Sequence, residues 1–409
     1  MDEYILLSDT GERSGKISLL CLFTFIYFCR YSFLSFAKSF HISTALVGGL
    51  TLILFAVPLF MYTFSDIRHV CIDGILIIGL SYIFFTVTLR VHPEYIDRYL
   101  DLYHDGRFSM NMVFSYGAGI YTYYLVRLFS RDGKKLYSLF GQIAYVIVCF
   151  DIWIIFFNRT EEYKMGFGYQ MEMAALLFLC EYFRESGKLR HCIFSFLCIA
   201  AGVLYGSRAC ILGYVMFILV FAVWRKKTSA RPFSIILLGI LAVVVSNIQI
   251  VMQMVYMFFL RLGLHSRTLY YMAMGNILVA DDTARQEKIW PVLIDELRRL
   301  PFFKMLGAYG DRTLLAEKWP YAHNFVLEIL LTFGKALGGL ILIWIVVMFI
   351  KTVLYNKDES GLLTIVFGCF SLCKLSVSNT FWQEPYFWAF LAMLVNCAMI
   401  RRRRKCAKA

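Results

Sequence analysis

The chain is short of charge: Asp, Glu, Lys and Arg make up only 17% of its 409 residues, while 60% are hydrophobic. A soluble domain cannot hide that much apolar surface, and apolar runs of about 20 residues, the length that crosses about 30 Å of hydrocarbon, recur throughout. Short alternating strands are lacking as well, which excludes a membrane β-barrel. No paired CxxC arrangement occurs among the 12 cysteines, so a zinc ribbon is not encoded. Those cysteines lie almost wholly in apolar runs and read as small buried hydrophobes. The first apolar run lacks a small-residue cleavage site, so it reads as a retained first helix and not as a signal peptide. Matching interrupted helices in two halves, the usual pointer to a secondary transporter, are not evident.

What is present is a polytopic α-helical pattern. Apolar periodicity and length predict about twelve helices, near 17–37, 43–63, 70–89, 108–128, 136–157, 169–183, 190–206, 209–224, 233–252, 325–349, 361–380 and 385–400. The whole chain, 1–409, reads as one membrane domain. Its net charge of +13 would suggest nucleic acid in a soluble protein, but positive-inside topology explains most of it. Basic residues collect in alternate connections: Arg131, Lys134 and Lys135; Arg184, Lys188 and Arg190; Arg225, Lys226, Lys227 and Arg231; Lys351 and Lys357. With the terminal Arg401–Lys405 run as a stop-transfer anchor, this places both termini in the cytoplasm.

One long polar stretch, 261–323, then falls on the extracytoplasmic face. Pro291 sits where a helix start tolerates it, and Ile289, Val292, Leu293, Leu297 and Leu300 recur at helical spacing before Pro301. The pattern predicts an amphipathic helix lying on the membrane or against the bundle. Gly307-Ala308-Tyr309-Gly310 follows as a flexible turn that brings Tyr309 and Arg312 into the stretch.

Several side chains there lack a topological reason. His323 and Asn324 start the tenth helix, where the helix dipole opposes protonation of the imidazole. A neutral histidine can serve as a general base; a capping or interfacial histidine is the other reading, and position leaves both open. Arg208, in the tight outer turn Gly206-Ser207-Arg208, either snorkels to the interface or holds an anion. Arg285, near the start of the loop helix, is either a solvated helix-end charge or a second anion ligand. Guanidinium forks match phosphate oxygens and keep their charge, so two arginines and a neutral base suit attack by a hydroxyl on a lipid diphosphate.

Gly206-Ser207-Arg208-Ala209 before an apolar span, Arg285 ahead of Ile289-Trp290, and Ala322-His323-Asn324-Phe325-Val326-Leu327 running into Leu331-Thr332-Phe333-Gly334 together resemble the O-antigen polymerase and O-antigen ligase superfamily. So do the helix number and the large late loop. The resemblance implies a glycosyltransferase of the bacterial inner membrane, without metal or other cofactor, acting on undecaprenyl-diphosphate-linked sugars. It implies His323 as the base and Arg208 and Arg285 as diphosphate ligands. Asn324, Tyr309, Arg312 and Lys335 are the expected substrate contacts. A flippase and a chain-length regulator are implied as partners, alongside the lipid bilayer and the lipid-linked donor and acceptor. Lys335 departs from the pattern, since the family has an apolar residue after the glycine. A lysine within a span is normally functional or paired, and with Lys374 and either Glu328 or Glu384 it is expected to line one polar cavity.

Other polar groups have weaker readings. Asp97, Asp101, His104 and Asp105 carry metal-ligand residue types, yet Tyr95, Ile96, Tyr99, Leu102 and Tyr103 make 90–107 an expected amphipathic interfacial helix with sugar-contacting potential. Asp73, Asp151 and Arg30 lie within apolar spans and are candidates for buried pairs. Asn158-Arg159-Thr160 matches a glycosylation sequon by chance.

Overall fold

The computed structural model describes residues 18–30, 32–33, 68–95, 103–104, 107–108, 112–129, 132–158, 165–184, 188–205, 209–224, 239, 248–261, 267–275, 288–315 and 322–406. These form a helical protein of fourteen helices. In chain order they are α1 (Ser18–Arg30), α2 (Arg68–Val91), α3 (Met112–Leu128), α4 (Gly133–Asn158), α5 (Met165–Arg184), α6 (Leu189–Tyr205), α7 (Ala209–Trp224) and α8 (Ile248–Arg261). There follow α9 (Arg267–Ala273), α10 (Trp290–Arg299), α11 (Gly310–Leu314), α12 (Phe325–Tyr355), α13 (Glu359–Val377) and α14 (Pro385–Cys406). Among the described residues three segments are long and apolar enough to cross a membrane: Gly133–Trp153, Phe325–Tyr355 and Glu359–Val377.

Burial separates a centre from a rim. The apolar window of α13 is 78% buried and that of α12 only 28%. Accordingly α13 packs against α4, α5, α7, α12 and α14, and Leu363, Ile365, Val366 and Phe367 are wholly enclosed. Along α12, Leu340, Ile343, Val347 and Ile350 face outward. A row of exposed aliphatic side chains on a long helix is destabilising in water and favourable in lipid.

Among the described residues the expected helices are largely observed and three expected elements differ, while the expected helix at 43–63 lies outside the described residues. Of the expected helix at 233–252 only 239 and 248–252 are among the described residues, and α8, Ile248–Arg261, runs past the expected end up to the expected start of the polar stretch. The expected helix over 90–107 is replaced, among the described residues, by a 3-10 turn at Pro93–Tyr95 and a two-residue antiparallel pair, Tyr103–His104 with Arg107–Phe108. Pro93 lacks the N–H that a continuing helix needs, so α2 stops before it. Finally, α12 is not one continuous helix. Gly334, at φ 80° and ψ 165°, breaks it into 325–333 and 335–355.

Of the buried-pair candidates, Arg30 donates to the Tyr27 carbonyl at 2.8 Å and stacks 4.0 Å over that residue's own ring. Asp151 is enclosed, with the Gln170 amide within 3.2 Å when its nitrogen faces the carboxyl. The Asp73 side chain, Asp97, Asp101, Asp105 and Arg159 lie outside the described residues, and of His104 only the backbone is described.

Candidate functional site

The late loop docks on the bundle, and the break in α12 is where it does so. α10 begins with Pro291 in its first turn and ends at Leu300, whose N–H returns to the Glu296 carbonyl. Ile289, Leu293 and Leu300 are buried and Leu297 is partly so, as the spacing predicts, while Val292 faces outward. Together with Leu306, Leu315 and Ala322 they make a small second core closed by Leu327 and Leu331 of α12. The amphipathic helix therefore packs its apolar stripe onto α12.

After α10, residues 302–307 run beside Gly334. A glycine-specific backbone leaves carbonyls of the preceding turn without helical partners, and buried carbonyls require donors. The loop supplies them: Leu306 N–H donates to the Leu331 carbonyl at 3.0 Å and Gly307 N–H to Thr332 at 3.1 Å. In return Ala336 N–H donates to the Phe302 carbonyl at 3.2 Å. A Cβ at position 334 would stand 2.5 Å from the Lys304 carbonyl oxygen, so only glycine permits this approach. Gly307, at φ 83°, is likewise pressed on Thr88 of α2, whose Oγ1 accepts from Ala308 N–H at 3.4 Å.

The next turn carries the charged residues. Tyr309 adopts a left-handed φ of 60°, and its ring is buried 5.1 Å from that of Trp382 and 6.3 Å from Phe85. The Arg312 guanidinium lies 4.5 Å over the same ring, and its Nε is buried without a hydrogen-bond partner. Asp311 is fully enclosed: its Oδ2 accepts from Ala322 N–H at 3.1 Å and its Oδ1 has no partner. Burial pushes this carboxyl above the ordinary aspartate range, against the opposing pull of the Arg312 charge and the Ala322 N–H. The hydrogen bond ties the turn to the residue before His323.

His323 is 9% exposed and holds a positive φ of 52°, so the chain reverses sharply into α12. Asn324 is that helix's N-cap: its Oδ1 accepts from Val326 N–H at 3.0 Å and Leu327 N–H at 3.1 Å. One turn on, buried Glu328 accepts from the Thr380 hydroxyl and, at 3.3 Å, from Phe381 N–H. Glu328 thus holds the α13–α14 connection against the start of α12, and both Asp311 and Arg312 act on it electrostatically.

The expected common cavity of Lys335, Lys374, Glu328 and Glu384 does not form as such. Lys335 Nζ donates to the Arg298 carbonyl at 3.2 Å, capping the C-terminal turn of α10 where a cation complements the dipole. Residues 335–355 by themselves reach about 31 Å at 1.5 Å per residue, already a full span. Lys335 therefore stands at the head of the apolar helix and not in its middle. Lys374 pairs with Glu384 at 2.5 Å, and Glu384 also accepts from the Asn379 amide at 2.7 Å.

Of the site residues expected from sequence, Tyr309, Arg312, His323, Asn324 and Lys335 all belong to this loop–helix junction. Arg208 and Arg285 lie outside the described residues, although α7 starts at Ala209, directly after the first. Asp311 was not foreseen. Its signal was a charged pair in a glycine-flanked turn, which does not tell burial from exposure.

No family model matches the chain, and neither a curated protein nor a solved structure matches it.

Proposed function

We propose that the chain is a polytopic bacterial inner-membrane glycosyltransferase, of about twelve spans with both termini cytoplasmic, that polymerises lipid-linked glycan repeat units. The observation that carries the reading is the junction of loop and broken helix. It gathers Asp311, Arg312, His323 and Glu328 at one end of an apolar span, the end that the charge bias of the loops assigns to the extracytoplasmic face in this reading. A reaction between two lipid-linked substrates needs its charged groups at that height, where headgroups lie and hydrocarbon does not.

In this scheme a hydroxyl of the acceptor sugar attacks the anomeric carbon of the donor. The bond from that carbon to the diphosphate oxygen breaks, and the diphosphate departs with its electron pair. His323 takes the hydroxyl proton. Arg208 and Arg285 neutralise the departing charge, with Arg312 as a third guanidinium. Asp311 positions His323 through the Ala322 backbone, and Asn324 fixes the first turn of α12 beside the substrate. The chemistry needs no cofactor. Partners are the undecaprenyl-diphosphate-linked donor and acceptor, with a flippase and a chain-length regulator working on either side of the step.

A ligase that moves the finished glycan to lipid A core or another acceptor would use the same groups. A flippase is the reading from another class. It would rely on cations at mid-membrane, and Lys335 is engaged by the Arg298 carbonyl at the head of the 335–355 segment of α12, which favours the transferase. A deletion strain separates the three. Polymerase loss leaves single repeat units on the acceptor, ligase loss strands polymer on the carrier, and flippase loss traps units on the cytoplasmic side. Long glycans on the acceptor in the deletion strain would overturn the reading.

A further inference from the structure

The turn between α10 and the break in α12 exposes what a soluble surface hides. Phe303 is 86% exposed and Phe302 59%, the two rings meeting edge-on at 5.1 Å. Lys304 N–H donates to the Pro301 carbonyl at 3.0 Å and closes the turn, so the phenyl rings are held out by the backbone and not by chance. Around them stand Arg298, Arg299 and Lys304, all exposed. Among the described residues Arg298 pairs with Asp295 at 3.5 Å in a solvent-facing contact, which is weak.

The height of the turn is fixed by the α12 backbone. Phe302 is bonded to Ala336, one residue from Leu337 and four from Leu340, which are 49% and 65% exposed on the lipid-facing side of the apolar helix. A backbone turn hydrogen-bonded to the first turn of a membrane span stands at the hydrocarbon boundary. Aromatic rings belong there, and cations just outside them meet phosphate headgroups.

We propose that Phe302 and Phe303 form a membrane-inserted anchor of the loop and that Arg298, Arg299 and Lys304 bind the headgroup of an anionic phospholipid. The occupant is a lipid of the surrounding leaflet: the aromatic pair continues the apolar rim of α12, and the cations complement phosphate. The anchor pins α10 to the bilayer surface and so sets the height of the Tyr309–Arg312 turn. This inference rests on α12 spanning the membrane and is independent of the transferase reading.

The test uses the full chain in nanodiscs of phosphatidylcholine and phosphatidylglycerol. In Phe303→Trp the added emission, taken as the difference from the unchanged chain, should be quenched by phosphatidylcholine brominated on its acyl chains and be insensitive to aqueous iodide. Quenching by iodide and not by bromine overturns the anchor. In a second arm, Arg298→Gln, Arg299→Gln and Lys304→Gln are combined and phosphatidylglycerol retained on the protein is counted by native mass spectrometry. Retention should fall by roughly fivefold for each cation removed, with phosphatidylcholine unchanged. Undiminished phosphatidylglycerol overturns the headgroup site. The substituted side chains are exposed and support no core, so both arms report on a folded protein.

Discussion

Replacing Gly334 by alanine tests the loop–helix junction at its narrowest point. The residue holds φ 80° and ψ 165°, a region essentially closed to other residues, and forcing a side chain into it costs about 1–3 kcal/mol. The new Cβ would also stand 2.5 Å from the Lys304 carbonyl oxygen, a backbone atom that cannot turn aside. Relief requires residues 302–307 to retreat, which removes the bonds from Leu306 to Leu331, Gly307 to Thr332 and Ala336 to Phe302. At about 1 kcal/mol each, docking should weaken by about 3 kcal/mol, on the order of a hundredfold in the opening equilibrium. Hydrogen exchange of the full chain in nanodiscs reads this directly. The amides of Leu306 and Gly307 should exchange on the order of a hundredfold faster, while those of α13 stay as slow as before. Unchanged protection at Leu306 and Gly307 would refute the claim that the loop docks on the broken helix.

Three further outcomes follow from the same geometry. Asn324→Ala removes the cap of α12 and should lower thermal stability by about 1 kcal/mol, with Asn324→Asp restoring most of it; equal midpoints for all three proteins would count against the cap. Lys335→Met loses only a bond at a partly exposed helix end and should cost under about 1 kcal/mol while leaving glycan synthesis intact, whereas a transport role for Lys335 would abolish it. Asp311 sets a pH dependence: its folded carboxyl titrates above the unfolded value because of burial, so the native state holds the proton more tightly. Loop docking should therefore weaken as pH rises from the ordinary aspartate range through the raised one, and Asp311→Asn, whose amide oxygen still accepts from Ala322, should remove that slope in exchange protection of the loop. A slope that persists in Asp311→Asn assigns it to another group.

How much of this was legible in the sequence depends on the kind of signal. Apolar length fixed α4, α6, α7 and α13 to within a few residues, because a span is a composition effect summed over many side chains. The stripe of α10 was legible for the same reason, although Val292 lies off it. The break at Gly334 was not, since one glycine in an apolar run is read as a tolerated weak point. Its φ depends on the arrival of residues 302–307 from another part of the chain. Lys335 looked anomalous only while α12 was taken as unbroken; once residues 335–355 suffice to span, the lysine becomes the cap of α10. His323 and Arg312 were singled out by charge and position. The burial of Asp311, which ties their two turns together, is a tertiary fact that no spacing encodes. The turn at Pro93–Tyr95 and the strand pair after it escaped notice because the aromatic and acidic residues of 90–107 also fit a helical face.

The most direct test of the central claim is elongation by the purified chain. Reconstituted in nanodiscs with undecaprenyl-diphosphate-linked repeat units as both donor and acceptor, it should produce longer lipid-linked glycan and release the carrier diphosphate. His323→Ala, Arg208→Ala and Arg285→Ala should each insert normally and fail to elongate. Elongation that survives His323→Ala, or a wild-type chain that only moves the units across the bilayer without lengthening them, would contradict the account.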